Sequence, residues 1–100
     1  MEVVYVGKSS LNELGYSTFR QWNKTEGNLY IGKKVSRLGI KESVWFNKDM
    51  TNEQYYDHIK NSPSLIKSLN ELNVKKLGCW CKDKKKCHGN VLIKIMDELS

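Results

Sequence analysis

The feature that most restricts the fold is a cluster of cysteines towards the end of the sequence. All three cysteines and one of the two histidines fall within the ten residues from Cys79 to His88. The segment Leu77–Cys81, just before the lysines, is short and apolar and predicts a strand. The segment Asn90–Leu99 has apolar residues at helical spacing and predicts an amphipathic helix. The cysteines should therefore join the end of a strand to the start of a helix.

Two further strands are predicted in the first half of the chain. Val3–Val6 is apolar and β-branched and stops at Gly7. Asn28–Gly32 has the same character and also stops at a glycine. A weaker strand signal covers Ser43–Phe46, and a short helix capped by Ser10 is expected between the first two strands. A loop is predicted at 23–27 and a turn at 38–39.

Two helices are predicted between residues 51 and 72. Thr51 and Gln54 form a capping-box signature, so a helix should start there and run to about Lys60. Ser62 followed by Pro63 fits the cap and first turn of a second helix. Its apolar face consists of Leu65, Leu69 and Leu72.

Strands that alternate with helices predict an α/β fold. We expect one small domain, 1–100, with a mainly parallel sheet of about three to four strands and flanking helices. A hundred residues suffice for one domain with its own core. The composition, 39% hydrophobic and 28% charged, excludes wholesale disorder. The apolar runs are too short for a membrane span, and no signal peptide is visible, so we expect an intracellular protein without membrane contact.

The positive charge of the chain is concentrated around the cysteines. Of a net charge of +6, residues 75–88 contribute +5, from six lysines and one aspartate. Such a patch fits nucleic acid or an acidic protein surface, and a solvated loop is the alternative. The candidate contacts are Lys82, Lys84, Lys85 and Lys86.

The cysteine cluster has three interpretations. Cys79, Cys81, Cys87 and His88 match the donors of a structural zinc site, although their spacing is not the usual one. In the second interpretation, Cys87 is a nucleophile activated by His88, the lysines and a helix N-terminus. In the third, the cysteines are small buried residues and His88 bonds to backbone.

A possible ligand site is indicated upstream of the cysteines. Gly7 and Gly32 each end a strand and precede a lysine, an arrangement that can hold a phosphate. No dinucleotide or P-loop motif accompanies them. Six aromatic residues fit either base stacking or the core. They are Tyr30, Trp45, Phe46, Tyr55, Tyr56 and Trp80.

The segments 77–81 and 87–92 together resemble the domain-of-unknown-function family numbered forty-three twenty-six. Members of that family, from bacteria, bacteriophages and large DNA viruses, typically end in Gly-Cys-Trp-Cys, a short loop and Cys-His-Gly-Asp-Val-Leu. Their Tyr-Ile-Gly-Arg segment is similar to residues 30–33, and their Ser-x-Trp-x-Asn-Pro-Phe segment is loosely similar to residues 43–47. The resemblance covers about residues 28–99. It implies a small α/β fold and a microbial or viral setting, in host cytoplasm or virion, but no activity.

This chain departs from that family pattern at several positions. Lys33 stands in place of arginine, and Asn90 in place of aspartate. Lys48 and Asp49 replace the proline and phenylalanine. The loop between the cysteines is longer and holds four lysines. The cysteines and histidine are all present, so a role of that cluster would be retained.

Two functions from different classes follow. The first is a basic binding or structural module, viral in setting, whose Cys/His cluster holds zinc and whose lysines contact nucleic acid or an acidic protein. The second is an enzyme that processes nucleotides or nucleic acid with Cys87 and His88. In that case Gly32 and Lys33 would lie near a phosphate, and Trp45 and Asn47 near a base. The sequence does not predict an oligomeric state.

Overall fold

A computed structural model of the chain describes residues 1–81 and 83–99. This part of the chain contains three strands, β1 (Glu2–Tyr5), β2 (Asn28–Tyr30) and β3 (Lys76–Cys79). It contains five α-helices, namely α1 (Lys8–Glu13), α2 (Phe19–Lys24), α3 (Asn52–Lys60), α4 (Pro63–Glu71) and α5 (Gly89–Leu99). Two short 3₁₀ turns cover Ser36–Leu38 and Lys84–Lys86. No helix in the described ranges is both long enough and apolar enough to cross a membrane.

The three strands form one sheet with the spatial order β1-β3-β2, and both pairings are parallel. The central strand is therefore the last in sequence, and Gly78 is paired with Val4 on one side and Tyr30 on the other. The predicted small α/β domain with a parallel sheet is confirmed. The sheet has three strands among the described residues, the lower of the two predicted numbers.

Helices cover both faces of the sheet, so the domain has three layers. Val4, Leu11 and Trp22 belong to the core on the face covered by α1 and α2. Val3 and Leu77 belong to the core on the opposite face, with residues of α3, α4 and α5. The connections β1–β2 and β2–β3 cross the sheet in opposite directions, so right-handed crossovers place their helices on opposite faces.

Gly78 allows α2 to pack directly on the central strand. A Cβ at this position would lie 2.3 Å from Cη2 of Trp22 and 2.7 Å from a methyl group of Val6. Trp22 is fully buried in the space that the missing side chain leaves. The side chain of Thr18 caps α2 by accepting a hydrogen bond from the Gln21 amide at 3.1 Å. This short helix thus depends on a tertiary contact, and the sequence pattern did not predict it.

The helices that the sequence did predict begin close to the expected residues. Thr51 and Gln54 form both hydrogen bonds of the capping box, and Pro63 occupies the first turn of α4. Ser62 makes no side-chain capping bond, however. Ser10 lies inside α1, whose N-cap is Gly7. At the end of α5, Leu99 is exposed, although it lies at helical spacing from the buried Leu92 and Ile95.

The predicted strand at 43–46 is wrong, because this segment is a turn. Ser43 Oγ accepts a hydrogen bond from the Trp45 amide, and the Phe46 amide donates to the Ser43 carbonyl. Trp45 is 4% exposed and Val44 is 78% exposed. This inside-outside alternation is the pattern of a half-buried strand. The predicted loop at 23–27 starts later than expected, since α2 continues to Lys24, and the turn at 38–39 is confirmed.

Candidate functional site

The cysteines meet at the edge of the sheet where the strands have their carboxyl ends. β3 ends at Cys79, and the chain continues with alternating side chains for two more residues. Trp80 packs against the core of the α1–α2 face, whereas Cys79 and Cys81 pack with the core of the other face. Cys79 and Cys81 therefore share one face of the sheet, as the alternation of side chains along a strand requires. Cys87 lies just before α5, so the cysteines join the end of a strand to the start of a helix as the sequence predicts.

The three cysteine side chains form one group, which we call the cysteine centre. The Sγ atoms of Cys79, Cys81 and Cys87 all lie within 4.8 Å of one another. The Sγ atoms of Cys79 and Cys87 are 2.8 Å apart. A tetrahedral zinc ion with Zn–S bonds of about 2.3 Å separates its sulfur ligands by roughly 3.8 Å. The three sulfur atoms are thus close enough to hold one metal ion, and on zinc the Cys79–Cys87 pair would separate from 2.8 Å to about 3.8 Å.

His88 lies beside the cysteine centre but is not part of the group of three sulfurs. Its ring is buried, and Nε2 is 2.7 Å from the carbonyl oxygen of Ile31. A carbonyl oxygen only accepts, so Nε2 carries the hydrogen and Nδ1 of the neutral ring carries the lone pair. Nδ1 is 3.9 Å from Cys87 Sγ. The ring of Tyr55 packs edge-on against the imidazole at 5.4 Å.

The electrostatics of the cysteine centre do not favour a free thiolate nucleophile. A hydrogen bond with Cys79, together with burial, raises the pKa of the Cys87 thiol. Burial raises the pKa of Cys81 as well. Burial also lowers the pKa of His88, so its ring is neutral. An activated nucleophile needs a lowered thiol pKa, and here the shift has the opposite direction.

A cavity of about 200 Å³ opens beside the cysteine centre. Gly32, Lys33 and Asn47, which the sequence suggested as ligand-binding residues, all line it. The loop that carries them is held by a hydrogen bond from the Ser43 amide to the Gly32 carbonyl at 3.1 Å. The other lining residues are Phe46, Cys79, Trp80, Cys81 and His88. The structure therefore joins the upstream segment to the Cys/His cluster.

Trp45, the remaining suggested ligand contact, is buried in the core instead. Its carbonyl oxygen accepts a 2.5 Å hydrogen bond from the Tyr55 hydroxyl. Tyr55 thus connects the loop before α3 to the ring of His88. Sequence reasoning did not place Tyr55 here, because nothing in the pattern of α3 distinguishes it from an ordinary core residue.

The lysine-rich segment forms an exposed turn between the cysteine centre and α5. Asp83 organises this turn: its side chain accepts from the Lys85 amide at 3.0 Å and its carbonyl accepts from the Lys86 amide at 3.1 Å. Asn52 of α3 donates to the Lys86 carbonyl at 3.2 Å. Lys85 and Lys86 are exposed. Lys84 lies in the same turn, and Lys82 lies outside the described residues.

The fold and the position of the cysteine centre define the class of protein. It is a small three-layer α/β protein with a buried group of thiols at the carboxyl ends of its parallel strands. The chain belongs to the family described as Domain of unknown function (DUF4326), whose model matches residues 3–98. The match includes β1, α1 and α2, which precede the segment that carried the resemblance in sequence. Searches of curated proteins and of solved structures found no match to this chain.

Proposed function

We propose that this protein is a zinc-binding module, with Cys79, Cys81 and Cys87 as thiolate ligands. The observation that carries the proposal is the convergence of three sulfur atoms within 4.8 Å. They come from two separate elements, the end of β3 and the start of α5. A zinc ion at this position would join the central strand to the last helix. Thiolate sulfur is a preferred ligand of zinc in structural sites.

We assign the fourth ligand position to Nδ1 of His88. Metal-bound histidines typically donate their second ring N–H to a carboxylate or a backbone carbonyl, which fixes the tautomer. The bond from His88 Nε2 to the Ile31 carbonyl is of this kind. The Nδ1 atom is 3.9 Å from Cys87 Sγ. Since His88 is not within the group of mutually close ligand atoms, its ring would move towards the other two sulfurs to become the fourth ligand.

The metal content of the purified protein tests this ligand set. Native mass spectrometry of protein prepared without chelator or metal-affinity tag should find one zinc per chain. Cys79→Ser should remove the zinc, and His88→Ala should lower the affinity measured against a competing chelator. His58→Ala is the matched control, because His58 is an exposed histidine of α3. A folded protein with three free thiols and no metal would overturn the proposal.

We further propose that the lysine turn of this module contacts nucleic acid, in an intracellular setting that is viral or microbial. The support is the exposure of Lys85 and Lys86 and the local excess of positive charge. Three thiolates and one zinc ion leave one negative charge, so the lysines also offset the charge of the metal centre. A turn fixed by Asp83 and Asn52 presents these lysines to the solvent.

The salt dependence of binding tests the lysine turn. Affinity for single- and double-stranded DNA and RNA should fall as salt rises, in proportion to the phosphates neutralised. Replacing Lys84, Lys85 and Lys86 together with alanine should weaken binding and flatten the salt slope. The matched control replaces three lysines elsewhere, Lys24, Lys41 and Lys67, which are exposed. An equal loss of affinity in both triple variants would show that only the net charge of the protein matters. That result would contradict the assignment of the lysine turn as the nucleic-acid contact.

A further inference from the structure

We propose that the carboxyl edge of the sheet also binds a nucleoside phosphate, in a second cavity next to the cysteine centre. This cavity has a volume of about 460 Å³, within the range of small-molecule sites. Trp80 and Lys33 line both this cavity and the smaller one beside the cysteines, so the two are adjacent. The proposal does not depend on zinc, because none of the three cysteines lines the larger cavity.

The charge of the larger cavity selects an anion. Lys33, Lys34 and Arg37 all line it, and no acidic side chain does. All three lie within the seven residues that follow β2, and all are exposed to solvent. Arginine binds phosphate with two parallel hydrogen bonds and lysine binds it as a point charge. A phosphate group is therefore the chemistry that matches this end of the cavity.

Two aromatic rings form another part of the wall, Trp80 and Tyr5. They pack edge to face, with ring centroids 6.2 Å apart. Trp80 Nε1 donates to the Tyr30 hydroxyl at 2.8 Å, and that hydroxyl donates to the Lys33 carbonyl at 2.5 Å. The indole ring is thus held in place before any ligand arrives, which reduces the entropy lost on binding. Stacking on such a ring fits a planar nucleobase.

The topology places this cavity where a parallel sheet offers a crevice. After β1 the chain enters α1 on one face of the sheet, and after β3 it leads to α5 on the other face. The connections therefore separate above the carboxyl ends of two neighbouring strands. Ligands of open parallel sheets bind at this kind of switch point. The cations after β2 and Trp80 after β3 both lie at this edge, so one ligand reaches both.

Trp80 gives a direct optical test, because it is the one partly exposed tryptophan among the described residues. Trp22 and Trp45 are buried in the two cores, whereas Trp80 is half-buried at the cavity. We would titrate the purified protein with AMP, UMP, adenosine and inorganic phosphate, following tryptophan emission and heat. AMP and UMP should bind saturably and quench the emission. Adenosine and phosphate should each bind about tenfold more weakly or worse, since each lacks half of the contacts. Trp80→Phe should abolish the quenching.

A charge-matched pair of double variants locates the site. Lys34→Ala with Arg37→Ala should weaken AMP binding about tenfold or more, because it removes two charge-assisted contacts. Lys24→Ala with Lys67→Ala removes the same charge from exposed positions on α2 and α4 and should change nothing. Equal behaviour of the two double variants would overturn the proposal. So would inorganic phosphate that binds as tightly as AMP, or the absence of saturable heat with both nucleotides.

Discussion

The cysteine centre and the larger cavity lined by Lys33, Lys34 and Arg37, which we call the basic cavity, lie at one edge of the sheet, yet they are built in opposite ways. Cys79 and Cys87 are 1% and 0% exposed and contact each other. The cations of the basic cavity are exposed and come from the loop after β2. The first site belongs to the core and joins two elements of the fold. The second presents charge to the solvent, so changes there should affect ligand binding and leave the fold intact.

The largest effect should come from removing one sulfur of the cysteine centre. Cys87→Ser should abolish zinc binding, with a loss of affinity well above the roughly 10- to 100-fold expected for an outer-shell residue. The rise in Tm that zinc gives to the wild-type protein should disappear with it. Chelator competition and thermal melting with and without zinc measure both effects. The double variant Lys34→Ala with Arg37→Ala should bind zinc as tightly as the wild-type protein. Loss of zinc in that variant would contradict the independence of the two sites.

A change in the central strand should destabilise the fold that carries both sites. In Gly78→Ala the new Cβ meets Trp22, so α2 must move away from the sheet. Overpacking of this kind typically costs about 1–3 kcal/mol of unfolding free energy, and occasionally more. Gly39→Ala is the control: no atom lies near its Cβ, but its φ of +68° is left-handed. That conformation costs about 1–2 kcal/mol. Chemical denaturation should rank Gly78→Ala as the more destabilising, and the reverse order would contradict this packing.

Gly32→Ala should sharpen the comparison because Gly32 lines the smaller cavity beside the cysteines, yet the added Cβ disturbs the tyrosine that positions Trp80 at the basic cavity. A Cβ at this position would lie 2.6 Å from the Tyr30 hydroxyl oxygen, which holds both Trp80 and the Lys33 carbonyl. The tyrosine ring must move, and Trp80 loses its fixed orientation. We expect AMP affinity to fall about tenfold, equivalent to about 1.4 kcal/mol, while zinc content stays at one per chain. Unchanged AMP affinity would mean that the fixed indole ring is not needed.

The smallest effect is expected for Tyr30→Phe, which removes one hydroxyl and keeps the ring. Trp80 Nε1 then loses its hydrogen-bond acceptor, and the Lys33 carbonyl loses its donor. Hydrogen bonds of this kind contribute about 0.5–1.5 kcal/mol each. Both bonds are only partly buried, so denaturation should show a total loss of about 1 kcal/mol, and the Trp80 emission should shift to the red as its environment loosens. An unchanged spectrum would indicate that Tyr30 does not position the indole.

Local pattern predicted most of the strands and helices because their signals are chemical and short in range. The capping box of Thr51 and Gln54 is one example. The sequence does not predict α2, because a helix of six residues is too short to show a clear helical spacing of apolar residues. The helix depends instead on the packing of Trp22 over Gly78. The segment around Trp45 has the sequence pattern of a strand because a turn and a strand can produce the same inside-outside alternation.

The candidate site was predictable in part for the same reason. Cys79, Cys81 and Cys87 are close in sequence and flank a single connection, so their convergence follows from a strand, a loop and a helix. The positions of Gly32, Lys33 and Asn47 beside them depend on the parallel pairing of β2 with β3. Sequence spacing carries no information about that pairing. The contact between the rings of Tyr55 and His88 likewise depends on how α3 packs in the folded domain, and sequence spacing does not predict it.

The most direct test of the account is X-ray absorption at the zinc edge of the wild-type protein. We predict about three sulfur ligands at roughly 2.3 Å and one nitrogen ligand at roughly 2.0–2.1 Å. The nitrogen shell should disappear in His88→Ala and persist in His58→Ala. A zinc environment made only of oxygen and nitrogen, or a protein that binds no zinc with its three thiols reduced, would contradict the central claim.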